Sequence, residues 1–92
     1  LAVEYSAHAE QKLYVRRITK QDVERTIIES KQRYTDVENN AEVAVGPVNA
    51  RYLVVVYRVA NADIKVMTVY HARKLEKLLS SKIRRGAWRK VP

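Results

Sequence analysis

From Arg51 to Tyr70 two β-rich runs, Arg-Tyr-Leu-Val-Val-Val-Tyr-Arg-Val and Ile-Lys-Val-Met-Thr-Val-Tyr, are separated by Ala-Asn-Ala-Asp. This pattern predicts a β-hairpin. Val, Ile, Thr and Tyr suit a pleated surface, and Asn61 and Asp63 tolerate the geometry of a tight turn. In the first run Leu53, Val55, Tyr57 and Val59 share one face and Tyr52, Val54 and Val56 the other. A strand that is apolar on both faces needs cover on both, which places it centrally in a sheet. Strict alternation assigns Ile64, Val66, Thr68 and Tyr70 to one face of the second run, and Lys65, Met67 and Val69 to the other.

Upstream of the hairpin the periodicity is helical. Ser6 is placed to cap a helix running to Arg16 or Arg17, with Tyr5, Ala9 and Leu13 along one side and His8, Lys12 and Arg16 along another. Thr19 followed by Asp22 resembles a capping box opening a second helix to Lys31 or Gln32, with Val23, Ile27 and Ile28 inward and Ile18 as a hydrophobic staple. Arg33 to Val37 then reads as a strand, Glu38-Asn39-Asn40 as a turn, Glu42 to Val45 as a strand, and Gly46-Pro47-Val48-Asn49 as a turn into the hairpin. After it, Leu75, Leu78, Leu79 and Ile83 form one face of a third helix from Ala72 to Ile83, stopped at Gly86. That face either covers the sheet or pairs with a partner, including a second copy of the chain. The expectation is an α+β fold: two N-terminal helices on a four-stranded antiparallel meander, then a basic C-terminal helix. Residues 1–86 form the domain and residues 87–92 a basic tail containing Trp88.

The 92 residues suffice for one two-layer core. Cysteine is absent, which removes disulfides, thiolate zinc sites and cysteine nucleophiles and is compatible with a reducing cytoplasm. Two His residues far apart in sequence make a poor zinc signature, so neither metal nor cofactor is expected. No apolar run reaches the roughly 18 residues of a membrane span, and the first residues lack the basic region of a signal peptide, so a soluble cytoplasmic protein is expected.

Charge is more informative than size. The formal net charge is +8, and from His71 onward eight Lys and Arg (Arg73, Lys74, Lys77, Lys82, Arg84, Arg85, Arg89, Lys90) stand against Glu76 alone, a net +7. A basic end on a near-neutral body suits a polyanion, with nucleic acid first and an anionic membrane surface second; it also serves solubility.

The segment His8-Ala9-x-x-Lys12-Leu13-x-x-Arg16-x-Ile18-Thr19-x-x-Asp22-Val23, with Thr68-Val69-Tyr70 ending the hairpin, resembles a group of small prokaryotic proteins usually placed near the BrnT and RelE/ParE toxins. Lys12 stands where that pattern usually has Arg, losing the planar fork that grips phosphate at two points, and Arg17 stands where Gly often precedes the Ile. The resemblance implies a metal-independent endoribonuclease, often one half of a toxin and antitoxin pair, acting on RNA free or on the ribosome. Such chemistry needs a group to take a proton from a ribose 2′-hydroxyl, a donor for the leaving oxygen, and cations around the phosphate.

His8, Tyr70 and His71 are the candidates for proton transfer. Lys12, Arg16, Arg51 and Arg58, with the eight C-terminal cations, are the candidates for holding nucleic acid. Each also has an ordinary explanation. His8 suits a helix-end hydrogen bond, His71 an exposed loop, and the arginines snorkelling to water. Most of the six Tyr residues read as sheet packing. Three functions remain open: the ribonuclease, a non-catalytic nucleic-acid or ribosome-binding module, and an interaction subunit pairing through Leu75, Leu78, Leu79 and Ile83.

Overall fold

A computed structural model describes residues 2–92, in the order β1 (Val3–Tyr5), α1 (Ala7–Arg16), α2 (Lys20–Glu29), β2 (Gln32–Asp36), β3 (Ala41–Val48), β4 (Arg51–Ala60), β5 (Asp63–Ala72), α3 (Leu75–Arg84) and β6 (Trp88–Lys90). The class is α+β, but the four-stranded antiparallel meander is overturned. The sheet has six strands in the order β1-β5-β4-β3-β2-β6 and is mixed, with β1 parallel to β5 and the remaining pairs antiparallel. The four anticipated strands form its middle; β1 and β6 add the edges. Each edge strand spans three residues, too few to display alternation.

Local sequence explains the helix ends. Ser6 Oγ accepts a hydrogen bond from Ala9 N at 3.0 Å and Thr19 Oγ1 one from Asp22 N at 3.1 Å, so each cap satisfies a helix-end donor. At the end of α1, Arg17 takes φ 55°, and Ile18 N reaches back to Leu13 O at 2.9 Å. This is the left-handed exit that glycine adopts freely, so the residue replacing the pattern's Gly performs glycine's backbone task with a side chain attached. Gly86 does the same for α3 at φ 75°, with Ala87 N donating to Lys82 O at 2.9 Å, and this turns the chain into β6.

The sheet is covered on both faces. On one, α1 and α2 pack Ala9, Leu13, Val23 and Ile27 against Leu53, Val55, Tyr57, Val66 and Val69. On the other, α3 brings Leu75, Leu78 and Leu79 against Val54, Val56, Tyr34 and Trp88. Three of the four residues offered for pairing with a partner therefore pack on the chain's own sheet, and only Ile83, 48% exposed, stays largely outside. Ile28, expected inward, is 72% exposed.

Two further expectations are corrected. Gly46 and Pro47 lie within β3, not in a turn, and the chain reverses at Asn49, which takes φ 55°. Pairing of β2 with β3 ends at Val45, so Pro47 occupies a locally unpaired edge where a missing N–H costs nothing. Residues 87–92, expected as a tail, include β6. Ala87 and Trp88 are buried, Ala87 O accepts from Val37 N at 2.8 Å, and Val91 N donates to Arg33 O at 3.0 Å.

The most consequential departure is a bulge. Val56 pairs with Thr68 and Tyr57 with Val66, leaving Met67 as one extra residue in β5. Because side chains alternate with period two, the insertion reverses the facing of everything beyond it. Ile64 and Val66 remain on the α1/α2 side, whereas Thr68 and Tyr70 turn to the α3 side, and Val69 and His71 share the face of their partners Val55 and Leu53.

Candidate functional site

The bulge is tied to the start of α1. Ser6 N donates to Val66 O at 2.9 Å and Ser6 Oγ to Met67 O at 2.9 Å, while the same Oγ caps the helix. One side chain thus fixes the helix entry beside the irregularity, and His8, two residues on, stands at the mouth of a cleft on the α3 side. The cleft has a volume of about 300 Å³, and its polar lining comprises His8, Asp36, Asn39, Arg58, Thr68, Tyr70 and Lys82, with Met67, Val56 and Trp88 among its apolar walls.

Five elements, α1, β2, β4, β5 and α3, and the turn after β2 supply these groups, each for a local reason. Arg58 follows Val54 and Val56 on one face of β4, and its Nη2 donates to Asn39 O at 2.9 Å. Asn39 is held by Asp36, whose Oδ1 accepts from Asn39 N at 3.0 Å and whose Oδ2 accepts from Asn39 Nδ2 at 2.9 Å. Asp36 is only 5% exposed, so these two bonds meet the need of a buried carboxylate for partners. Trp88, 2% exposed, stacks on Tyr34 with centroids 5.6 Å apart, and Lys82 Nζ lies 5.4 Å from the Trp88 ring centroid. That contact leads the ammonium toward the cleft along an apolar wall.

Tyr70 is half-buried, and burial first and the Asp36 carboxylate second push its phenol up to about 12. It therefore keeps its proton across the neutral range and acts as a hydrogen-bond donor. Its pKa exceeds the ordinary value of 10, so the folded chain holds this proton more tightly than the unfolded chain does. The associated stability is complete below pH 10 and is lost as pH rises from there through about 12. Tyr70→Phe is expected to flatten that part of the alkaline stability profile, measured as denaturant midpoints below pH 10 and near pH 12; an unchanged slope counts against the buried setting of this phenol.

Of the residues singled out from sequence, His8, Arg58, Tyr70 and Lys82 meet in this cleft. His71 does not join them. It follows Tyr70 on an alternating strand, so it faces the α1 side, where burial and then the charges of Arg51 and Arg16 lower its pKa. Lys12 and Arg16 on α1 and Arg51 at the start of β4 are outside the cleft, as are Arg73, Lys74 and Lys77 before and in the first turn of α3. Arg84 donates to Ser80 Oγ at 3.3 Å, Arg85 lies 3.8 Å from exposed Glu38, and Arg89 and Lys90 are exposed on β6.

Asp36, Asn39 and Thr68 were missed as site residues. From sequence Asp36 looks like an ordinary polar residue of a short strand and Asn39 like a turn residue, and only burial distinguishes the carboxylate. Arg33 was also passed over, although it organises the end of α2: its Nε donates to Ser30 O at 3.0 Å, its Nη1 to Tyr57 Oη at 2.9 Å, and its Nη2 to Ile27 O.

Elsewhere, a hollow of about 350 Å³ between α2 and β3 contains Arg25, Glu29 and Lys31 but neither His nor Tyr. Among the described residues no cluster of three His, Cys, Asp or Glu is arranged to hold a metal, and no helix is long and apolar enough to cross a membrane.

A family model described as a domain of unknown function (DUF4258) matches residues 5–71, well over half of the chain. The matched span contains His8, Asp36, Asn39, Arg58, Thr68 and Tyr70, and ends before Lys82 and Trp88. No curated protein and no solved structure matches the chain.

Proposed function

We propose that this chain, which belongs to the domain-of-unknown-function family DUF4258, is a metal-independent endoribonuclease of the RelE/BrnT-like kind, acting in the cytoplasm. The observation that supports this reading is the meeting of His8, Arg58, Tyr70 and Lys82 in one cleft, although they come from four elements. These are the side-chain types that in-line cleavage of RNA requires. His8 takes the proton of a ribose 2′-hydroxyl as its oxygen attacks the adjacent phosphorus. The bond from phosphorus to the 5′-oxygen breaks, Tyr70 supplies a proton to the departing oxygen, and the products are a 2′,3′-cyclic phosphate and a 5′-hydroxyl. Arg58 and Lys82 balance the negative charge that accumulates on the phosphoryl oxygens, and Asp36, through Asn39, keeps Arg58 in place. A toxin of this kind would meet its RNA free or on the ribosome and be restrained by an antitoxin partner.

The strong positive charge from His71 onward favours a second reading, in which the same surface binds RNA without cutting it. Incubating the EDTA-treated protein with an RNA oligonucleotide and with its 2′-O-methyl counterpart separates the two. The nuclease reading expects cleavage of the first only, with cyclic phosphate ends. RNA that is bound but remains intact supports the non-catalytic module and rejects the nuclease.

A further inference from the structure

A second groove, of about 340 Å³, runs along α3 and is lined by Tyr70, His71, Arg73, Lys74, Lys77 and Ser81. Two features join it to the candidate cleft. Tyr70 lines both, and the consecutive α3 residues Ser81 and Lys82 divide between them, Ser81 to the groove and Lys82 to the cleft. Arg73, Lys74 and Lys77 are exposed, and none lies within ion-pair distance of a carboxylate among the described residues. α3 also begins without a side-chain cap, so its first N–H groups add partial positive charge to the same end. The nearby acidic residue, Glu76, lines a neighbouring hollow with Gln32 and Tyr52, and Arg73, Lys74 and Lys77 border that hollow as well as the groove.

We infer that this groove is a binding track for the RNA strand leading away from the cleft, with Arg73, Lys74 and Lys77 on successive phosphates and Tyr70 at the junction. The inference rests on RNA being the substrate of the cleft, and it specifies the substrate further: a single strand extending several nucleotides to one side of the cleaved bond. A dinucleotide fills the cleft and never reaches the groove. A long strand gains affinity from phosphate contacts, each contributing about −0.7 to the slope of log K against log salt.

The test is fluorescence anisotropy of a fully 2′-O-methylated 12-nucleotide RNA, titrated with the wild type, with an Arg73→Ala/Lys74→Ala/Lys77→Ala variant, and with a charge-matched Lys20→Ala/Lys31→Ala/Lys65→Ala control. The expected result is at least a tenfold loss of affinity in the first variant, with a salt slope shallower by about 2. The control should remain within twofold of the wild type, and cleavage of a dinucleotide should be the same in all three proteins. Equal affinity and equal slope in the groove variant and the wild type overturn the track, as does an equal loss in the control. The nuclease reading is judged separately: weakened binding by the groove variant, with no cleavage by the wild type, leaves the track standing and removes the enzyme.

Discussion

Replacing Trp88 by alanine is expected to destabilise the protein by about 3–5 kcal/mol, the range for deleting a large buried aromatic side chain. The expectation contrasts with the reading of residues 87–92 as a tail, where the same change would cost less than about 0.5 kcal/mol. Trp88 is 2% exposed, stacks on Tyr34, supports Lys82, and pairs with Asp36 across the β2–β6 ladder. Its loss leaves a void between the sheet and α3 and frees the Lys82 side chain from its wall. Domains of this size are stable by about 5–15 kcal/mol, so the substitution removes a large fraction of the total. Urea denaturation checks the value, and Trp88→Phe should recover much of it because the ring contact with Tyr34 is retained. A loss below about 1 kcal/mol would mean that β6 does not hold α3 and the sheet edge together.

The largest expected effect on activity is at His8. In the proposed reaction it is the proton acceptor, so its replacement by alanine should slow single-turnover cleavage by about 10²–10⁴-fold. His8 is exposed and makes no side-chain hydrogen bond among the described residues, so the thermal midpoint should barely change. A structural role for His8, as a helix-end hydrogen bond holding the fold in register, predicts the reverse: lowered stability and, in the folded fraction, unchanged cleavage. Measuring both quantities on the same preparation distinguishes the roles.

The parts of this architecture written in short-range chemistry could be read before the fold was seen. Ser6, Thr19 and Gly86 mark helix ends because cap chemistry is local, and the Arg51 to Tyr70 runs mark a hairpin because their β-rich residues surround Asn61, which takes φ 58°. The parts that depend on neighbours could not. Pro47 reads as a turn residue unless one knows that β2 ends before it. Asp36 reads as an ordinary carboxylate in a short strand unless one knows that Trp88, fifty-two residues later, pairs beside it.

The bulge at Met67 is the clearest case. An extra residue in a strand leaves no mark in composition, yet it moves Thr68 and Tyr70 from the α1 side to the α3 side. Strict alternation therefore placed Tyr70 on the wrong face. Reading His71 as a loop residue hid that it continues β5, so that Tyr70 and His71, both singled out for proton transfer, look toward opposite sides of the sheet. Four members of the site could be named from sequence; that they share a cleft could not.

The central claim is that His8 and Tyr70 act on one reaction in one cleft. A double-mutant cycle on RNA cleavage tests it most directly, comparing the wild type, His8→Ala, Tyr70→Phe and the double variant under single-turnover conditions with EDTA present. Groups acting as a unit are non-additive, so the double variant is predicted to be about as slow as the slower single variant. Losses that multiply, or four proteins with the same rate, would contradict the account.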